Sequence, residues 1–573
     1  MKKNNNTNIL FYIYTLLIIV FAYEYNSIKF ENQDFDAITK ILNPNFPKGG
    51  VSYDPHLHYN YFASFIIFIF NINSSHAAKI IWLLEQSAII FALYKISVNF
   101  FSKSNIILVL VISFYLLTKS GETDQKTFLL PFYLFSLYFL LKNQYFISGL
   151  FCSALFYLHI GSAIWWFAPS GLALLSILIV NPNKINLKNL IFYSSTVIFL
   201  SSPVLIFYIY QDTSFTESSF FKNYWYGLNN SLISLSYERI EIIILTLSPL
   251  LIFIFSYLIL INDDDMNNNV KKIFFSIFIG VIILLFLNHL LVEIFYSGTV
   301  IKLQLIRSIE NIKILSFFFI SFILFKQINR GNYFFLLIIF FLIIPNPLFI
   351  IYNYYNSWLL LYLVFLIIVF YEILILKINF KISFLTKIKN NSLMRKFEFI
   401  KNSKFLIIII INFNLIAYIA TVSGLEDQLK YKLFKIGKSS NQIIISKHES
   451  LLVDIVSHIN SKINDNSLFL APFTNGDFAY LTKQKVFVNK GSIYDYIPKK
   501  TNIFKEVFHE DLGYSVEEMK DAQTWFKIWK NIDENKILEW QKKYGITHVI
   551  REKDLPLNFI IKYSNKHYNL YEL

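Results

Sequence analysis

Long apolar runs recur along this chain from residue 9 to residue 422, separated by polar connections. A helix that crosses a bilayer needs about 20 mostly apolar residues, and the core of a water-soluble domain does not repeat such runs so often. The pattern predicts a polytopic α-helical membrane protein with about 13 transmembrane helices. The predicted spans are residues 7–23, 77–98, 105–118, 127–141, 145–158, 163–180, 189–210, 240–261, 271–296, 311–327, 332–350, 353–377 and 404–422.

Basic residues are unevenly distributed among the connections. The formal net charge is +14, and membrane proteins gather such charge in their cytoplasmic loops, so no nucleic-acid partner is needed to explain it. With the N-terminus inside, the inner connections hold 18 basic and four acidic residues. The outer connections before residue 424 hold nine basic and eleven acidic residues. This asymmetry predicts a cytoplasmic N-terminus, and the first apolar run is interpreted as a retained helix because no small-residue cleavage site follows it.

Two long polar segments fall outside under this topology. The first extracytoplasmic loop, residues 24–76, contains an apolar stretch at 60–70 that is too short to span and is expected to lie at the membrane interface. A transmembrane domain over residues 1–423 is followed by residues 424–573, which alternate short predicted strands with amphipathic helices. This predicts a small extracytoplasmic α/β domain. The single cysteine, Cys152, excludes an internal disulfide and a multi-cysteine metal site.

Acidic residues cluster in two of the outer connections. Asp34 and Asp36 lie in the first loop, and Glu122 and Asp124 lie in the second, within KSGETDQK. Solvated loop charges and functional carboxylates are both consistent with this pattern. Solvation is the easier account for Asp36, Glu122 and Asp124, whereas several other ionisable groups on the same membrane face leave both interpretations open for Asp34. In the segment YDPHLHY, alternating Asp54, His56 and His58 would share a face of a strand and could serve as metal ligands.

Further polar residues lie at predicted outer helix ends. His159 ends the fifth helix, and His289 and Glu293 are four residues apart, on one face near the outer end of the ninth. Ionisable groups within a span are costly and usually face a cavity or a partner, which makes these three candidate cavity-lining residues. Lys302 and Arg307 follow; they are candidate phosphate ligands, although Arg307 can also be a snorkelling anchor. Trp165 and Trp166 are assigned to the interfacial aromatic belt.

The order of these features resembles the GT-C superfamily of membrane glycosyltransferases. One helix, a long acidic outer loop, a short interfacial helix, many further helices and a C-terminal outer domain follow one another. A closer similarity is to bacterial GT-C-like proteins of the DUF6798 type. It rests on loose motifs: KTFLLPFYLFSLYFLLKNQYFISGLFCSALFYLHIGSAIWW (126–166), LQLIRSIENIKIL (303–315), SLFLAPFTNGDFAYLTKQKVFVNKGSIYDY (467–496) and WQKKYGITHVI (540–550).

The resemblance implies a function at the extracytoplasmic face of the bacterial inner membrane. The protein would transfer a sugar from a polyprenyl-phosphate donor to a glycan, lipid or protein acceptor, with Asp34, or alternatively Asp36, as the essential acid. Glu122 or Asp124 would be the second acid, and Asp34, Glu122 and Asp124 would otherwise share a divalent cation such as Mg²⁺ or Mn²⁺. A polysaccharide polymerase or ligase, and a non-catalytic transporter or assembly factor of envelope glycans, remain alternatives.

Overall fold

The structure is a computed structural model that divides into two compact units. The helical unit holds the described residues between 79 and 329, and the second unit holds those at 57–78 and from 455 onward. The residues that the structure describes are 29–30, 57–72, 74–101, 122–123, 125–180, 187–209, 240–261, 263, 265–295, 300, 303–329, 455, 458–459, 461–463, 467–472, 485–487, 505–515, 518 and 522–573.

Elements are numbered along the chain. The helices are α1 (Leu57–Phe70), α2 (Ser74–Ile96), α3 (Gln125–Leu141), α4 (Tyr145–Leu158), α5 (Ile160–Val180), α6 (Leu187–Ile209), α7 (Ile240–Leu260), α8 (Asn268–Asn288), α9 (Ile309–Asn329), α10 (Ala522–Asn531) and α11 (Glu534–Tyr544). The strands are β1 (Lys29–Phe30), β2 (Glu122–Thr123), β3 (Leu468–Leu470), β4 (Lys485–Val486), β5 (His548–Glu552), β6 (Ile560–Ser564) and β7 (Tyr568–Glu572). Turns of π-helix cover Ser97–Phe101, His289–Ile294 and Lys505–Asp511.

The helical unit is an integral membrane structure. Within the described ranges, four helical stretches are long and apolar enough to cross a bilayer: His76–Phe101, Leu187–Ile206, Asn268–Val292 and Leu305–Gln327. Helices α2 to α9 lie close to eight of the predicted spans. The other five predicted spans, at 7–23, 105–118, 332–350, 353–377 and 404–422, lie outside the described residues, so the total of 13 stays a prediction.

Small residues allow the helices of this unit to approach closely. Ser136 of α3 and Ser148 of α4 exchange hydrogen bonds with each other's carbonyl oxygens at 3.0 and 2.8 Å. Gly149 of α4 lies against α6, where a Cβ would meet the Tyr193 carbonyl oxygen at 3.2 Å. Lipid is as apolar as the helix surfaces, so such close packing and interhelical hydrogen bonds, rather than the hydrophobic effect, hold membrane helices together.

The helix α1 has an unusual distribution of side chains in the second unit. Its exposed residues are large and apolar, including Phe65 and Phe68, whereas Asn60 and Ser64 are buried. Its 14 residues extend for about 21 Å, which is short of the ~30 Å hydrocarbon core. A short helix with an apolar outer face fits the expected place at a membrane interface.

The C-terminal residues of the second unit form a five-stranded mixed sheet in the order β4-β3-β5-β7-β6. Strands β3, β4 and β5 are parallel, whereas β7 is antiparallel to both β5 and β6. Alternating residues face different cores: Val549 packs with Trp525 and Trp540 of α10 and α11, and Ile550 packs with Ile455 and Ile459. The sheet therefore carries helical segments on both faces.

Sequence patterns predicted part of this sheet. The segments 467–472, 485–489 and 547–552 have the composition of short strands, and β3, β4 and β5 lie within them. The amphipathic pattern at 533–544 predicts a helix, and α11 coincides with it. Asp533 caps α11 by accepting the Lys536 N–H at 2.8 Å, and Gly545 ends it with a φ of 77°. The closing hairpin of β6 and β7 was not predicted. Its strand β6 is an exposed edge without the regular alternation that identifies a strand.

Candidate functional site

The direction of the helices determines which residues meet at each end of the helical unit. Helices α5 and α8 pack antiparallel, because Pro169 contacts Gly280 while Ser176, further along α5, donates to Ser276 at 2.8 Å. The N-terminus of α5 therefore lies beside the C-terminus of α8. His159 precedes α5 and His289 follows α8, so both histidines lie at the same end of the unit.

The segment before α9 is fastened to the start of α5. The indole Nε1 of Trp165 donates to the carbonyl oxygen of Leu303 at 2.7 Å. The absence of a side chain at Gly161 permits this approach, since a Cβ there would stand 3.1 Å from the same oxygen. Residues 303–308 therefore lie at the end of the unit that holds His159 and His289.

A second hydrogen bond joins α9 to the backbone of α5. Pro169 has no N–H, so the carbonyl of Trp165, four residues earlier, has no helical donor. The side-chain amide of Asn311 donates to this carbonyl oxygen at 2.5 Å. Trp165 thus contacts Leu303 through its side chain and Asn311 through its main chain.

Arg307 lies between these two contacts, in a turn of 3-10 helix at Leu305–Ser308. Its neighbours Leu305, Ile306 and Ser308 are buried, whereas Arg307 is only partly buried. Gln304 starts the turn in the left-handed region, with a φ of 48°, and its carbonyl accepts the Arg307 N–H at 2.9 Å. A non-glycine residue with this backbone costs energy, and such strain is concentrated at functional positions.

His159 caps α5 with its ring. Its Nδ1 accepts the backbone N–H of Ser162 at 3.1 Å, and the Ser162 hydroxyl lies at the same distance. An Nδ1 that accepts carries no hydrogen, so the neutral ring has its hydrogen on Nε2. The ring also packs against Trp165, with centroids 6.0 Å apart. His159 therefore combines a helix cap with an Nε2–H donor.

The other predicted site residues are described only in part. His289 is exposed at the point where α8 passes into a π-helical turn. Glu293 lies in that turn, and only its backbone is described. Glu122 belongs to β2, and only its backbone is described. Asp34, Asp36, Asp124 and Lys302 lie outside the described residues. Among the residues described, no three potential ligands form a metal cluster, so a divalent cation stays a prediction.

The opposite end of the helical unit carries a separate group of charges. Lys326 of α9 forms ion pairs with Asp263 and with Asp265, the latter at 3.2 Å, in the connection between α7 and α8. Lys271 of α8 donates to the carbonyl oxygens of Ile261 and Asp263 at 3.0 and 2.8 Å. These residues belong to connections predicted to be cytoplasmic. Arg307 and the two histidines lie at the other end.

Two interpretations of the sequence were wrong. Trp165 and Trp166 do not form an aromatic belt: they are 7% and 1% exposed, and Trp166 donates to Ser136 Oγ at 2.9 Å. An indole N–H with a partner inside the protein does not need the headgroup region. His58 lies in the helix α1 rather than in a strand, so the alternation proposed for a metal site in YDPHLHY does not hold there. Asp54 and His56 lie outside the described residues.

Sequence reasoning missed Gly161, Pro169 and Asn311. A proline within an apolar helix does signal a carbonyl that needs another donor four residues earlier. The donor, however, comes from a helix 146 positions later in the chain, and a single sequence does not reveal such a pair. Gly161 gives no signal by itself, because its role depends on the chain that lies against it.

Solved structures with a similar fold exist. ArnT from Cupriavidus metallidurans bound to undecaprenyl phosphate matches with a TM-score of 0.52 and 11% identity, over 99% of this chain and 98% of ArnT. The apo state of the same protein matches with a TM-score of 0.51 and 10% identity, over 99% and 97%. At this level of identity the similarity shows the fold alone. No protein-family model and no curated protein matches, and the resemblance to the DUF6798 type stays a prediction.

Proposed function

We propose that the protein is a glycosyltransferase that moves a sugar from a polyprenyl-phosphate donor to an acceptor at the extracytoplasmic membrane face. The observation that carries the proposal is the fold similarity, over nearly the whole chain, to ArnT bound to undecaprenyl phosphate. Active sites are better argued from chemistry than from fold. The residues at the Arg307 end of the helical unit supply that chemistry.

The donor and the product both carry phosphate, and this end of the unit offers groups that bind it. A guanidinium binds phosphate oxygens with two parallel N–H groups, and Arg307 is the partly accessible residue of its turn. The Nε2–H of His159 is a second donor, since Ser162 holds the ring through Nδ1. Lys302, five residues before Arg307, is proposed from the sequence as a further positive charge.

The proposed reaction needs one base and one group that stabilises the leaving phosphate. Asp34, with Asp36 as the alternative, removes the proton from an acceptor hydroxyl, and the oxygen attacks the anomeric carbon of the donor sugar. The bond from that carbon to the phosphate oxygen breaks, and polyprenyl phosphate leaves with its charge held by Arg307. A single displacement of this kind inverts the anomeric centre. The role of the aspartates rests on the sequence.

The proposal is tested by measuring the donor pool directly, because this requires no knowledge of the sugar. Polyprenyl-phosphate sugars are extracted from a host in which the gene has been deleted and are quantified by mass spectrometry. One such lipid is expected to accumulate and to fall again when the wild-type protein is expressed. Expression of Asp34→Asn or Arg307→Gln should leave the amount of this lipid as high as in the deletion host. The matched control is Lys188→Gln, at an exposed position at the start of α6. This variant should lower the amount of the lipid as the wild-type protein does.

Two results would contradict the proposal. If no polyprenyl-phosphate sugar changes on deletion, the protein does not consume such a donor. If Asp34→Asn lowers the amount of the accumulated lipid to the same extent as the wild-type protein, Asp34 is not the base. Asp36→Asn is then the decisive variant.

A further inference from the structure

We propose that Trp165 is a positioning residue for Arg307, holding both ends of residues 303–311 so that the guanidinium is presented to the donor phosphate. The inference rests on the proposed function, because only there does the orientation of Arg307 matter. It concerns a residue that touches neither donor nor acceptor in this scheme.

The first anchor is the side chain of Trp165. Its Nε1–H donates to Leu303, four residues before Arg307, at 2.7 Å, and Trp165 is 7% exposed. The Leu303 carbonyl is partly buried, so the loss of this donor is only partly compensated by solvent, and the hydrogen bond favours one position of the chain. Gly161 leaves the space that this position requires.

The second anchor is the main chain of the same residue. Pro169 leaves the Trp165 carbonyl without a helical donor, and Asn311, four residues after Arg307, donates to it at 2.5 Å. The two anchors are therefore placed symmetrically about Arg307. Both anchors depend on α5, and His159 lies at the start of the same helix. The two proposed phosphate ligands, Arg307 and His159, are therefore positioned by one rigid helix.

The neighbouring tryptophan provides a matched control. Trp165→Phe removes the hydrogen bond to Leu303, and Trp166→Phe removes an equivalent hydrogen bond from Trp166 to Ser136 in α3, at 2.9 Å. The Kd for undecaprenyl phosphate is measured on the full chain in detergent by native mass spectrometry. We expect Trp165→Phe to raise the Kd about tenfold and Trp166→Phe to leave it within about twofold, while both lower the thermal stability.

A double variant separates positioning from a general structural effect. If Trp165 acts through Arg307, then Trp165→Phe should add nothing to the loss of affinity caused by Arg307→Gln, because residues that act as one unit are not additive. Additive losses would overturn the inference. Equal Kd values for Trp165→Phe and Trp166→Phe would also overturn it, and would leave the proposed function intact. Failure of the wild-type protein to bind undecaprenyl phosphate would instead overturn the proposed function and the inference together.

A second pair of variants covers the case in which Trp165→Phe does not fold. Gly161→Ala places a Cβ 3.1 Å from the Leu303 carbonyl oxygen and 3.2 Å from His159 Cε1, so the anchored segment has to shift by a few tenths of an ångström. Gly171→Ala, in the same helix, meets nothing within 4 Å. We expect a weaker affinity for undecaprenyl phosphate only in Gly161→Ala. Unchanged affinity in Gly161→Ala would show that the position of residues 303–308 does not control binding.

Discussion

Gly280 of α8 lies directly against Pro169 of α5, so closely that a Cβ on Gly280 would stand 2.6 Å from Pro169 Cα. The contact involves backbone on both sides, so a methyl group cannot be accommodated by a side-chain rotation. Gly280→Ala should therefore lower the free energy of unfolding by about 1–3 kcal/mol, the usual cost of overpacking. Thermal unfolding in detergent measures this effect. Gly171→Ala is the control and should be neutral or slightly stabilising, and equal stabilities would contradict the packing described.

His159 combines two roles that substitution can separate. His159→Asn retains a good N-cap, since an asparagine oxygen can accept the Ser162 N–H, but it removes the imidazole Nε2–H. His159→Leu removes both. We expect both variants to weaken the binding of undecaprenyl phosphate, whereas only His159→Leu should lose the ~0.5–2 kcal/mol of helix stability that a cap provides. Wild-type affinity in His159→Asn would exclude the Nε2–H as a phosphate ligand.

The exposed face of α1 should contact lipid. Phe68 is 79% exposed within the protein, while Asn60 of the same helix is fully buried. In a Cys152→Ser background, Phe68→Cys should resist a membrane-impermeant maleimide even in lysed cells, because the reagent does not enter the lipid. Lys566→Cys should react in intact cells if the C-terminal domain is extracytoplasmic, and Lys188→Cys only after lysis. Labelling of Phe68→Cys as fast as Lys566→Cys would place this face in water.

The five-stranded C-terminal sheet should lose stability in mild acid through His548. Burial lowers the pKa of His548 below its ordinary value; Glu572 raises the pKa and Lys562 lowers it further. The folded state therefore binds this proton less tightly than the unfolded chain does. The resulting stability is present above about pH 6.5 and is lost as the pH falls toward the folded-state pKa.

Hydrogen exchange of the β5 amides measures this loss. Between pH 7.5 and pH 5.5, after correction for intrinsic exchange rates, the wild type should lose more protection than His548→Gln, whose side chain does not titrate. Equal losses in the two proteins would show that another group is responsible.

The sequence was a good guide where one physical rule dominates. Runs of apolar residues identified α2 to α9 because the bilayer imposes a minimum length, and the amphipathic pattern at 533–544 identified α11. It was a poor guide where two distant segments satisfy each other. The role of Trp165 depends on the carbonyl of Leu303 and on the amide of Asn311, and neither relationship leaves a periodic pattern. The same reason explains why Trp165 and Trp166 were wrongly assigned to an aromatic belt. An apolar run gives no indication of which aromatic residues face protein rather than lipid.

The candidate site was predicted to a different extent at each position. The position of His159 at a helix end followed from the length of the apolar run before it, and the structure brings it to the same end as Arg307 and His289. The Ser162 contact that sets its tautomer was not predictable, because it depends on the exact turn between α4 and α5. The acids of the first loop remain predictions from the sequence.

The central claim is that the Arg307 end of the helical unit binds a polyprenyl phosphate. The most direct measurement is the Kd for undecaprenyl phosphate of the wild-type protein, Arg307→Gln and the control Lys188→Gln, at low and at high salt. We predict that Arg307→Gln weakens binding at least tenfold, about 1.4 kcal/mol or more, while Lys188→Gln binds as the wild type does. Equal affinities for Arg307→Gln and the wild type would contradict the claim.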